Sequence, residues 1–125
     1  MIIGTGLDIT EIARIERLWQ RLGEKVWERI LAPAERRAIT NDKRRIQYLA
    51  GRFAAKEAAA KALGTGLGKV SLHDLIVTNN ELGAPILTLH GHAAELAGQK
   101  GVGAIHLTIS HSDQYAVAQV ILEKF

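Results

Sequence analysis

The 125-residue chain is the size of one ordinary domain, and a content of 47% hydrophobic and 23% charged residues places it with water-soluble globular proteins rather than disordered or membrane ones. No apolar run approaches the roughly 20 residues that a membrane span needs, and the lack of cysteine excludes disulfides and thiolate metal sites. A net charge of +3 favours an anionic partner without choosing among a nucleotide, a nucleic acid, a membrane surface and an acidic protein. The N-terminus meets Asp8 early and has no basic stretch before its apolar residues, so it does not read as a signal peptide and a cytoplasmic location is expected.

In chain order, residues 2–7 predict an apolar strand whose glycines permit close backbone approach. Asp8 falls at the expected end of that strand. Thr10 is the expected N-cap of a helix with Ile12, Ile15, Trp19 and Leu22 on one face and Arg14, Arg17 and Arg21 on the other, ending near Gly23. A second helical piece passes through Trp27 to Leu31, and Pro33 is expected to open a short third one that ends around Thr40, Asn41 and Asp42. Residues 43–63 are alanine-rich, with Gly51 the only breaker, and predict a long central helix closed by Gly64. After the loop 64–68, strands over residues 72–78 and 86–90 flank turn-forming residues and predict a hairpin. A helix over 92–99 and strands over 104–110 and 115–122 complete a single α+β domain, residues 1–125, with a mainly antiparallel sheet packed against the long helix.

Spacings of four place Phe53, Glu57 and Lys61 on one face of the long helix, with Arg52 and Lys56 on the neighbouring one. Such Glu–Lys spacing ordinarily makes a solvated surface pair, and an aspartate after a strand ordinarily caps the next helix. The alanines around Glu57 also let the helix pack closely while projecting a few polar groups into a cleft. In that arrangement Asp8 and Glu57 converge on a hard divalent ion, since magnesium takes one or two carboxylates and leaves its other positions to water and phosphate.

Gly6-Leu7-Asp8-Ile9, followed by Ile12 and Arg14, resembles the N-terminal motif of the holo-acyl-carrier-protein synthase family within the 4'-phosphopantetheinyl transferases. The run from Arg52-Phe53-Ala54-Ala55-Lys56-Glu57 through Lys61 to Gly64 is similar to the second motif of that family, and the likeness extends over nearly the whole chain. The resemblance implies transfer of 4'-phosphopantetheine from coenzyme A to a serine of an acyl carrier protein, releasing adenosine 3',5'-bisphosphate, in support of fatty acid biosynthesis. It implies Mg2+ held by Asp8 and Glu57, with Lys61 as the third catalytic residue; the serine proton goes to a metal-bound water, to Glu57 or to Asp8. Coenzyme A contacts are implied for Lys43, Arg44, Arg52, Phe53, Lys61, Gly64, Asn80, Gly83, Pro85 and His106, with the run 43–45 beside the 3'-phosphate and the 80–85 turn near adenine. His111 is similar to part of the third motif. Arg14, Ile15, Leu18, Arg21 and Leu22 on the first helix are implied to dock the acidic carrier.

A nucleic-acid-binding domain needs a basic stripe interleaved with aromatics, and the aromatics here are not interleaved with the basic run. Neither nucleic acid nor membrane is therefore an expected partner. Broad-specificity transferases resemble two fused copies of this unit, so the length favours the short type. By analogy with the family, the short type is a homotrimer with sites between subunits: Asp8 and the first helix come from one chain, and the adenine and 3'-phosphate contacts from its neighbour.

Overall fold

In the computed structural model, which describes residues 1–125, the first strand β1 (Ile2–Glu11) runs well past the expected end at Asp8 and passes directly into helix α1 (Ile12–Leu22). Pairing with the last strand carries it there: β1 is antiparallel to β5 (Tyr115–Lys124) down to Thr10 opposite Ala116 and Glu11 opposite Tyr115, and the Ile12 amide then donates to the Gln114 carbonyl. Thr10 is consequently not the cap of α1. It is buried, and its hydroxyl donates to Asp8 Oδ2 at 2.7 Å, while Glu11 takes the cap position without a side-chain bond.

Helix α2 (Glu24–Ile30) follows across Gly23, and Val26, Trp27 and Ile30 enter the core. The third short helix predicted after Pro33 shrinks to a single 3-10 turn, Pro33–Glu35. Its last residue turns inward instead of continuing a helical face: Glu35 is 2% exposed and accepts from the Ala32 and Val77 amides and from Lys56. The chain then runs without regular structure to Asn41, whose side chain accepts from the Arg44 amide and caps the long helix α3 (Asp42–Leu63); Gly64 ends that helix in the left-handed conformation.

A second 3-10 turn, Leu72–Asp74, replaces the start of the predicted strand, and the hairpin comprises β2 (Leu75–Asn79) and β3 (Pro85–Leu89). Helix α4 (Gly91–Lys100) leads to β4 (Val102–His111), which pairs with β5. All strand pairing is antiparallel, as expected, but it forms two sheets rather than one: β1–β5–β4 and the separate hairpin β2–β3.

The core lies between the three-stranded sheet and α3. Alternation along β5 turns Ala116, Ala118, Val120 and Leu122 inward, onto a helix whose alanines at 54, 55, 58, 59 and 60 are all buried. Small residues on both sides allow backbones to approach, and β1 takes this furthest. A Cβ placed on Gly4 would lie 2.2 Å from the Ala62 carbonyl oxygen, and one on Gly6 would lie 1.8 Å from that of Ala58. At these positions strand and helix meet backbone to backbone, and the atom in the way is not a flexible side chain that can yield.

Gly6→Ala is therefore expected to destabilise the protein by about 3 kcal/mol. Gly51→Ala is the control: it lies inside α3, where a Cβ meets Ile109 at an ordinary 3.5 Å, and it should be neutral or stabilise by up to about 1 kcal/mol. Urea unfolding of the two variants beside the parent checks both.

Candidate active site

The pleat of β1 puts Gly4, Gly6, Asp8 and Thr10 on its inner face. Because Gly6 rests on Ala58, the next inward side chain, Asp8, arrives beside the last turns of α3. Lys61 Nζ donates there to the Leu7 carbonyl at 2.9 Å and approaches Asp8 Oδ1 at 3.4 Å, while Thr10 holds the other Asp8 oxygen. Glu57, one turn before Lys61, is half-buried next to them. Burial raises the pKa of its carboxyl above the ordinary carboxylate value and the Asp8 charge adds to this, against the opposing pull of Lys61 and Arg14. Arg14 reaches over from α1 with its guanidinium 5.6 Å from the Phe53 ring centroid. The structure thus gathers Asp8, Arg14, Phe53, Glu57 and Lys61 into one cluster.

The donor set suits a hard cation. Two carboxylates from different elements converge, one fixed by a hydroxyl and the other driven toward protonation by burial and its neighbour, which is repulsion that a divalent ion would relieve. No grouping of three or more histidine or acidic side chains forms, so a cation held here keeps open positions for water or a phosphate oxygen.

A second group occupies another side of α3. Arg52 is 8% exposed, its guanidinium lies 4.3 Å over the Tyr48 ring, and its Nη2 donates to Asn79 Oδ1 at 2.5 Å; Nε is buried without a partner. Arg37 donates to the same Asn79 oxygen and also stacks on Tyr48. Burial lowers the Arg52 pKa, and the neighbouring Arg37 charge adds to this. These residues line a cavity of about 220 Å³ whose sole carboxylate, Glu35, is engaged by Lys56. Two guanidiniums sharing one neutral amide oxygen make an anion-seeking pocket. Sequence reasoning singled out Arg52 and missed Arg37, Tyr48 and Asn79. The four-residue spacing of Tyr48 and Arg52 was the available signal; nothing local marks Arg37, which reaches the site only through the irregular chain after Glu35.

Other candidate residues lie apart. Lys43 and Arg44 are exposed at the start of α3. Arg45, read with them as a neighbour of phosphate, is a structural clamp: its guanidinium sits 4.8 Å from Trp19 and 5.1 Å from Trp27, and pairs with Glu24 at 3.1 Å. Asn80 shapes the hairpin tip by accepting from the Leu82 and Ala84 amides, and Gly83 adopts the positive φ that this turn demands. Gly64 caps α3, and Pro85 opens β3. His106 projects from the opposite face of the sheet from Asp8 and pairs with Glu123 at 2.5 Å; His111 ends the same strand. Of the implied docking residues, Arg14 and Arg21 are exposed and Leu18 and Leu22 half-buried. Ile15 is fully buried and belongs to the core, so it presents no surface to a partner.

The sequence profile of a family described as the 4'-phosphopantetheinyl transferase superfamily matches residues 4–120. A holo-[acyl-carrier-protein] synthase of Photobacterium profundum is 52% identical over 123 residues, 98% of each chain, and one of Vibrio cholerae is 50% identical over 125 residues, 99% of each. Among solved structures, a holo-(acyl-carrier-protein) synthase from Bacillus anthracis in complex with CoA (3',5'-ADP) superposes with a TM-score of 0.83 at 43% identity, covering 100% of this chain and 99% of the other. The enzyme of that name from Helicobacter pylori, in complex with coenzyme A, gives 0.80 at 35% identity over 95% and 99%.

The charges around Glu57 make its titration a test of the cluster. Asp8→Asn is expected to move the Glu57 pKa down, toward the ordinary carboxylate value, and Lys61→Met to move it further up. Carbon-detected NMR of the Glu57 side chain across the acid range reads both shifts.

Proposed function

The chain belongs to the 4'-phosphopantetheinyl transferase superfamily, and from that premise we propose that it transfers 4'-phosphopantetheine from coenzyme A to a serine of apo acyl carrier protein. The products are the holo carrier and adenosine 3',5'-bisphosphate, and the reaction serves fatty acid biosynthesis. The observation that carries this reading is the convergence of Asp8, Glu57 and Lys61, which needs the whole fold to form, in a chain matched end to end by relatives of that activity. The cytoplasmic placement expected from the sequence goes with it.

Asp8 and Glu57 are the residues that would hold Mg2+, and the ion, when bound, withdraws charge from the pyrophosphate of coenzyme A. Thr10 orients Asp8 by occupying one of its oxygens, and Lys61, anchored on the Leu7 carbonyl, presents its ammonium to the phosphate oxygens and offsets charge that builds on the leaving group. The carrier serine Oγ bonds to the phosphorus bearing pantetheine, and the bridging P–O bond to adenosine 3',5'-bisphosphate breaks. The serine proton goes to a carboxylate of the cluster or to water.

Arg14 and Arg21, with Leu18 and Leu22 beside them, face outward to meet an acidic carrier; such pairing mainly speeds encounter and weakens with salt. Arg52 and Arg37 suit a phosphate of coenzyme A, and Phe53 and the 80–85 turn its remaining parts. One chain does not bring the Arg37–Arg52 pocket or the 80–85 turn to Asp8, which supports a homotrimer with sites shared between neighbours. The uncovered outer face of the three-stranded sheet supports it too, since Leu7 and Ile9 stand 55% and 62% exposed beside Val117 and Ile121.

Mass spectrometry of apo acyl carrier protein incubated with this protein, coenzyme A and Mg2+ should show a gain of one phosphopantetheine. The gain should vanish with chelator or with Glu57→Ala; no gain with any of several apo carriers overturns the reading. In sedimentation equilibrium the parent should run at three times its 13.6 kDa chain mass, and Ile9→Lys, which puts a charge on the sheet face, should fall toward the monomer and lose activity with it.

A further inference from the structure

A buried ion pair outside the carboxylate cluster ties four segments of the chain to α3. The side chains of Lys56 and Glu35 are fully enclosed, with Nζ 2.6 Å from Oε1. Lys56 Nζ donates as well to the Ile30 carbonyl at 2.6 Å and to the Leu72 carbonyl at 2.8 Å, so every ammonium proton has an acceptor. Glu35 accepts from the Ala32 amide on Oε1 and from the Val77 amide on Oε2, both at 2.9 Å. The end of α2, the 3-10 turn after it, the turn at Leu72 and strand β2 therefore all hang from one position of the long helix.

Desolvation consumes much of what two buried charges gain from each other, and an apolar pair of similar volume often does as well for stability. What the ion pair supplies is direction. Along this stretch α3 is nearly all alanine, a smooth surface without the ridges that key one element against another. Hydrogen bonds with fixed donors and acceptors set the register instead. Strand β2 is held twice from α3, at Val77 through Glu35 and Lys56 and at Asn79 through Arg52. Lys56 is also the residue next to Glu57, whose carboxyl points to a different side of the same turn.

We propose that Lys56, acting with Glu35, is a positioning residue of the transferase: it holds the β2–β3 hairpin and the Arg37–Arg52 cavity in place on α3 and touches no substrate itself. This rests on the transferase reading, so binding and turnover are measured separately. Glu35→Gln retains an oxygen for Lys56 and Ala32 but turns an NH2 toward the Val77 amide, cutting the tie to β2. Lys56→Met combined with Glu35→Leu removes both charges and should melt within a few degrees of the parent.

Both variants are expected to bind adenosine 3',5'-bisphosphate about tenfold more weakly by calorimetry and to show a KM for coenzyme A raised about as much, with kcat at saturation within about twofold of the parent. A folded variant with the parent's Kd and KM overturns the proposal and leaves the pair purely structural. Failure of both variants to fold also overturns it, because the pair is then a requirement of the fold itself. A parent that binds the nucleotide but modifies no carrier sinks the transferase reading, while the change in Kd still decides whether Lys56 positions the nucleotide site.

Discussion

Strand β1 lies on helix α3 with nothing between the two backbones at Gly4 and Gly6, where any Cβ would enter a carbonyl of Ala62 or Ala58. That contact sets how far along the helix the strand sits. Asp8 comes two residues after Gly6 on the same face, and Glu57 and Lys61 flank Ala58 by one and three positions, so the carboxylate cluster is a geometric consequence of the glycine contact. The buried Thr10, one further inward position along, keeps Asp8 turned toward the helix.

Helix α3 serves as the common reference for the functional groups, and it divides them. One side carries Phe53, Glu57 and Lys61 toward β1 and α1; another carries Arg52 and Lys56 toward the hairpin. The alanines that allow close packing also deprive the helix of shape, and polar side chains set among and beside them provide the specificity that apolar knobs usually give. His106, on the far face of the sheet, belongs to neither group within one chain.

The elements with strong local signals were legible in the sequence: the long alanine-rich helix with its closing Gly64, the hairpin around its turn, and the two final strands. Two of the misreadings share a cause, a polar side chain whose place is decided by a segment distant in sequence. Thr10 has the chemistry of a helix cap, but its hydroxyl serves Asp8 while β5 extends the strand beneath it. Glu35 would suit a helix surface, yet Val77 and Lys56 draw it inward and the helix stops after one turn. The cluster at Asp8 was readable because both motifs lie in regular elements of predictable phase. The second arginine cavity was not, since Arg37 and Asn79 meet only after the hairpin folds back over the helix. Ile15 shows the limit of assigning a face by spacing near a core boundary: it shares α1 with the exposed Arg14 and Arg21 but is wholly enclosed.

The sandwich of Arg45 between Trp19 and Trp27 gives the molecule an optical property. These are the chain's two tryptophans, and both indoles rest on the same guanidinium, at the junction of α1, α2 and α3. Intrinsic emission therefore reports on that junction and not on the sheet or the hairpin. Fluorescence and circular dichroism will coincide in an unfolding experiment only as long as this helical corner separates from the rest in the same step as the strands.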